Sequence, residues 1–125
     1  MKQFGFSKDE RLTGKKRIEN LFKNGNHAAA VPLRAFFCTT NEHNSVKLLV
    51  SVPKKCFKKA VLRNYHKRLI REAYRLNKQI LTNFIEQKEF GTNIAIVLVT
   101  SEKQNFVKIS EKTADILNKI LISLQ

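Results

Sequence analysis

The chain has 125 residues, 42% of them hydrophobic, with 24 Lys and Arg against ten Asp and Glu and a net charge of +14. That length predicts one domain, residues 1–125, with a modest core, and the charge points to a polyanionic partner, because neutralised phosphates release bound counterions. No run has the apolar length of a membrane span, MKQFGFSKDERL lacks a signal peptide's apolar core, and Cys38 and Cys56 have no metal-type spacing. The expectations are a cytoplasmic protein with reduced thiols and no membrane association.

Residues 1–12 read as an irregular, charged N-terminal arm. Ile18, Leu21 and Phe22 at i, i+3, i+4 predict a short amphipathic helix over Lys15–Lys23, closed by Asn24-Gly25. A further strand fits near residues 26–31. LRAFFCTT (Leu33–Thr40) reads as a strand on its Phe and Thr content, and NEHNS (Asn41–Ser45) as a turn. VKLLVSV (Val46–Val52) reads as the antiparallel partner, ended by Pro53.

A long helix is predicted from near Phe57 to about Asn77, with Gln79–Lys88 extending it or forming a separate turn. FGTN (Phe90–Asn93) is a break, and the nearly all-apolar IAIVLVT (Ile94–Thr100) predicts a strand buried on both faces. From about Asn105, Ile109, Thr113, Ile116, Leu117, Ile120 and Leu124 mark one stripe of a closing helix. The order α-β-β-(β)-α-β-α predicts an α+β or α/β two-layer sandwich, a small mixed sheet with packed helices.

The long helix carries the chemistry. Between Lys54 and Lys78 lie ten of the 24 Lys and Arg residues and one acid, Glu72. At about 100° per residue, with Arg63 at zero, Lys67, Lys78, Arg71, Asn64, Arg75 and Arg68 fall within roughly 140°. Val61, Tyr65, Leu76, Leu69, Leu62, Ile80 and Ala73 form a separate apolar set, expected to bury against the sheet. Solvated helix faces usually mix signs, since like charges at i, i+4 repel. Here Arg63, Lys67 and Arg71 stack at that spacing without an acid among them. Lys54, Lys55, Lys58 and Lys59 gather at the helix start, where the macrodipole favours acids, so binding explains them better than solubility does. Asn64 offers a donor and an acceptor suited to a 2′-hydroxyl or a base edge.

The string KKAVLRNYHKRLIREAYR, preceded by LVSVPKK, resembles the protein subunit of bacterial ribonuclease P. The resemblance rests on Ser51, Val52, Lys54, Lys55, Ala60, Val61, Arg63, Asn64, Lys67, Arg68, Arg71 and Glu72, with Arg11-Leu12 and Leu21, Phe22, Lys23 and Gly25 nearer the N-terminus. Tyr65 stands where the family usually has the second Arg of its RNR helix, and Pro53 replaces a Ser. Leu49 and Phe57 stand where smaller residues are common, Ile18 replaces a frequent Phe, and Thr100 a frequent Arg.

The resemblance implies a left-handed β-α-β crossover and an accessory role in a ribonucleoprotein hydrolase. In that family the RNA subunit cleaves the 5′ leader from precursor tRNA with Mg²⁺ that it holds itself. The protein partners would be the catalytic RNA and the leader, with no small-molecule cofactor. Carried onto this chain, the RNA-docking set is Lys54, Lys55, Arg63, Asn64, Lys67, Arg68 and Arg71, to which the charge at the helix start adds Lys58 and Lys59. The leader cleft would use Phe22, Arg34 and Phe36, where bases stack on rings and phosphates meet the charge.

No protein-borne catalysis is expected. The acids are dispersed, and His27, His43 and His66 have no ligand-like spacing and read as surface or turn residues. Two alternatives stay open from the residues: a ribosomal or other structural RNA binder, and a DNA binder using the basic helix in a major groove. The flanking strands speak against the second, which favours a helix-turn-helix.

Overall fold

The computed structural model describes residues 10–125. In chain order the elements are α1 (Lys15–Asn24), β1 (Asn26–Ala30), β2 (Leu33–Thr40), β3 (Val46–Ser51), α2 (Ala60–Asn77), α3 (Gln79–Ile85), β4 (Gly91–Leu98) and α4 (Phe106–Leu124). The additional strand is present as β1, and the residues after the long helix form a separate short one, α3.

The strands form one sheet in the order β1-β2-β4-β3. β4 is buried along its length except at half-buried Val97. A strand with two apolar faces cannot stand at an edge without exposing one, so it takes an interior place. This corrects the expected antiparallel pairing of β2 with β3. β4 lies between them, antiparallel to β2 and parallel to β3. Parallel neighbours need a long connection, which α2 and α3 provide.

β3 therefore becomes an edge, and the chain before α1 tacks onto it. Arg11 bridges Leu48, whose carbonyl accepts the Leu12 amide at 2.9 Å. Of the expected irregular arm, residues 1–9 lie outside the described residues, while Leu12 is buried.

Side-chain alternation divides the sheet into two faces. Leu33, Ala35, Phe37, Leu48, Val50, Ile94, Ile96 and Leu98 pack against α2, α3 and α4 through Ile70, Tyr74, Leu81, Ile85, Ile109, Ile116, Leu117 and Ile120. The closing helix buries the anticipated stripe, and its start is capped by Asn105, whose Oδ1 accepts the Lys108 amide at 2.9 Å. On the opposite face α1 packs through Leu21 beside Leu12 and Ala95, flanked by Ile18, Phe36, Cys38 and Leu49.

α2 begins at Ala60, later than its periodicity predicts. The residues before it close a turn in which the amides of Cys56 and Phe57 donate to the Pro53 carbonyl at 3.0 and 3.4 Å.

Candidate nucleic-acid interface

The buried positions of α2 are His66, Ile70, Ala73 and Tyr74. At about 100° per residue they span an arc of roughly 100°, rotated from the apolar set read in the sequence. Val61 is 77% exposed and Leu76 45%, so neither anchors the helix. The helix leans on α4 as well as on the sheet, and that second support turns its buried arc. Lys78, expected among the outward cations, is buried, and its Nζ pairs with Glu10 at 2.8 Å.

The rotation still leaves Asn64, Lys67, Arg68 and Arg71 on the outward flank. Asn64, Arg68 and Arg71 are exposed and Lys67 half-buried, while Lys54, Lys55, Lys58 and Lys59 are exposed on the approach to the helix. Among the described residues none of these cations, nor Arg63, forms an ion pair. Arg75 differs, since it pairs with Glu72 on the next turn. That contact holds the Glu72 carboxyl below the usual carboxylate range, chiefly through the Arg75 hydrogen bond.

Arg63 has a second task. Its guanidinium donates to the carbonyls of Phe57 at 3.0 Å and Lys58 at 2.7 Å, clamping the turn that leads into the helix. A single guanidinium nitrogen, Nη1, thus serves two backbone acceptors in the turn before the helix. Arg71 lines a small recess with Arg11, Leu12, Thr13, Leu48, Leu49 and Val50, so the basic flank runs on to the β3 edge. Arg11 was not among the sequence candidates; its place there follows from the bridge to Leu48, which no local pattern encodes.

The second surface is the sheet face that carries α1. Pairing places Arg34 opposite both Ala29 and Val97, and Val97 beside Ser51, which gives one row across the sheet. His27, Phe36, Ala95 and Leu49 form the next row. Phe22 of α1 meets Phe36 edge to face with centroids 4.9 Å apart, and His27 meets it from β1 at 4.6 Å. Phe22 is 36% exposed, Phe36 half-buried and Arg34 exposed. The three cleft candidates therefore share one face, with aromatic edges and a cation open to an incoming strand. His27 joins them without having been singled out.

A wider recess of about 440 Å³ is lined by Arg17, Asn20, Cys38, Thr39, Thr40, Asn41, Glu42 and Asn93. Glu42 pairs there with Arg17 at 2.8 Å and Lys47 at 3.1 Å, so its cations are matched. Those partners, Lys47 first, hold the Glu42 carboxyl below its usual range. Burial pushes the Cys38 thiol up, and both cysteines are free.

His43 sits in the turn after β2 and His27 is exposed on β1, but His66 is buried. Its Nδ1 lies 2.7 Å from the Leu62 carbonyl, and its Nε2 accepts the Gln104 amide at 3.0 Å. The first contact requires a proton on Nδ1, which fixes the tautomer. His66 is thus a structural residue rather than a surface one. Among the described residues no three or more His, Cys, Asp or Glu side chains gather into a metal-holding group, and no helix is long and apolar enough to cross a membrane.

Comparison with known proteins identifies the family and the fold. The family model for Ribonuclease P matches residues 6–121. The chain is 41% identical over 105 residues to the ribonuclease P protein component of Porphyromonas gingivalis, covering 82% of this chain and 77% of that one. It is 35% identical over 83 residues to that of Vibrio campbellii, covering 66% and 70%. Among solved structures, the Thermotoga maritima RNase P protein superposes with a TM-score of 0.71 at 25% identity, over 88% of this chain and 96% of that one. The Staphylococcus aureus RNase P protein has the same fold, with a TM-score of 0.73 at 24% identity over 91% and 96%. A family match over residues 6–121 and 41% identity to a named protein component lead to one conclusion: the chain belongs to the ribonuclease P protein family.

Proposed function

We propose that this chain, as the protein component of ribonuclease P, supports 5′-leader removal from precursor tRNA through two separate surfaces. The first is the outward flank of α2 with the turn before it: Lys54, Lys55, Lys58, Lys59, Arg63, Asn64, Lys67, Arg68 and Arg71. It docks on the RNA subunit. Arg forks bridge phosphate oxygens, Lys acts as a point charge, and Asn64 serves a 2′-hydroxyl or base edge. The observation that carries the reading is that these cations have no ion-pair partner among the described residues.

The second surface is the cleft of Phe22, Phe36 and Arg34, which takes the single-stranded leader by stacking and phosphate pairing. The row from Arg34 to Ser51 runs into Pro53 and the Lys54-Lys55 turn, so the two surfaces adjoin. Leader and catalytic RNA are thereby held in one orientation, which lowers the entropic cost of reaching the reactive geometry. Mg²⁺ belongs to the RNA in this scheme. The chain supplies binding and charge compensation, with no catalytic side chain, in the cytoplasm where tRNA is processed.

The test is reconstitution with ribonuclease P RNA at low Mg²⁺. Precursor tRNA cleavage should be faster with the protein than with RNA alone. Equal rates, together with tight binding to ribosomal RNA, would instead support a structural RNA-binding protein.

A further inference from the structure

The segment between β4 and α4 is tied to α2 by consecutive residues. The Gln104 amide donates to His66 Nε2 at 3.0 Å, and the Gln104 carbonyl accepts from Tyr65 Oη at 2.9 Å. The Gln104 side chain donates to the Glu102 carbonyl at 2.8 Å, and the Glu102 amide to Thr100 Oγ1 at 3.2 Å. His66 is itself immobilised: it is buried, bonded to Leu62 and stacked on Phe57 with centroids 4.3 Å apart. Both backbone polar groups of Gln104 are thus held by a rigid helix.

The consequence falls on the neighbouring residue. Lys103 Nζ stands 5.1 Å from the centre of the Tyr65 ring, an attractive cation–π placement. A lysine in an exposed connection ordinarily sweeps through solvent, whereas this one has a preferred station. It is exposed, and neither Glu102 nor any other carboxylate among the described residues pairs with it. Tyr65 and Arg68 are neighbours at i, i+3 on α2. Lys103 therefore adds a cation on the α4 side of Arg68, while Lys67 and Arg71 lie on the other flank.

We infer that the RNA-docking surface continues from α2 onto this segment, and that Lys103 contacts an RNA phosphate from a position held by Tyr65 and His66. The inference rests on the reading of α2 as an RNA-docking surface. Tyr65 interrupts the cations of the helix, and the segment packed against it returns one to the same place. Tyr65 and His66 act as positioning residues, and Lys103 makes the contact.

The experiment measures binding of the full-length chain to ribonuclease P RNA across a range of KCl concentrations. Lys103→Ala should weaken binding several-fold at low salt and flatten the slope of log affinity against log salt by about one, with Lys103→Arg restoring both. Tyr65→Phe keeps the ring but removes the tether. It should give a smaller loss in the same direction, with faster hydrogen exchange at the Gln104 amide. If Lys103→Ala changes neither quantity while Arg68→Ala changes both, the inference fails and the α2 reading stands. If neither variant changes either quantity, both fail.

Discussion

Phe22 and Phe36 meet edge to face at 4.9 Å, one from α1 and the other from β2, and neither ring is sealed into the main core. A pair of aromatics placed only for stability would be expected to disappear beneath the helix. These keep exposed edges beside Arg34 and so offer stacking surface next to a cation.

Replacing Phe36 should separate leader binding from folding. Phe36→Leu retains apolar volume but removes the ring, and should cut the advantage of leader-bearing over leaderless substrates about tenfold, within the range of one lost base–aromatic stack. Phe36→Ala should show the same effect plus about 2 kcal/mol of lost stability, less than for a fully buried Phe. Cleavage assays on the two substrates and a melting curve check both. An unchanged leader advantage in Phe36→Leu would remove the cleft from the reading.

Arg63 and Arg68 should behave differently although both are basic residues of α2. Arg68→Ala should flatten the salt slope by about one and leave the melting temperature unchanged. Arg63→Ala should additionally destabilise the fold by about 1–2 kcal/mol, because the carbonyls of Phe57 and Lys58 lose a charged donor. Equal melting temperatures for the two variants would show that the clamp contributes nothing.

The Lys78–Glu10 pair joins the chain before α1 to the end of α2. Burial, and secondarily the Glu10 carboxylate, pushes the Tyr74 phenol well above its usual range, so Tyr74 stays neutral in this setting. Lys78→Met should cost about 2–3 kcal/mol in urea unfolding, since it removes the cation that pairs with a partly buried carboxylate. Restoring stability with the double change Lys78→Met, Glu10→Gln would show that the cost lies in the lost attraction between the two charges. A double variant no better than the single one would place it in packing.

Acid should weaken the turn after β2. Lys47 and Arg17 lower the Glu42 carboxyl from its ordinary value of 4.5, so the folded state binds its proton less readily than the unfolded chain. The stability gained from this is fully present above 4.5 and is lost as the pH falls through the lowered value. Glu42→Gln should therefore flatten the acid limb of melting temperature against pH. An identical limb in both proteins would show that the Glu42 pairs do not contribute.

Much of the architecture was legible along the chain because it is local. The i, i+3, i+4 pattern of α1, the apolar run of β4 and the single stripe of α4 each follow from side-chain periodicity, which a buried helix or strand must satisfy. Arg34 and Phe36 could be placed on one face from strand alternation alone. Strand order could not be read, because β2 and β3 follow one another in sequence while β4, the most completely buried strand, displaces one from the other. His66 was misread for a related reason. Its acceptor duty toward Gln104 is a long-range contact that no local pattern announces.

The amino-acid sequence by itself determined where the positive charge gathers and that a helix carries it. Charge density and helix period are properties of a short stretch, and Lys67, Arg68 and Arg71 share one flank whatever packs beneath. Tertiary structure alone decided which way α2 is turned, that Arg63 clamps a backbone turn, that Lys78 is buried against Glu10, and that Phe22 and His27 converge on Phe36. Those outcomes depend on which distant surfaces compete to cover the same apolar area, and that competition is settled only when the whole core closes.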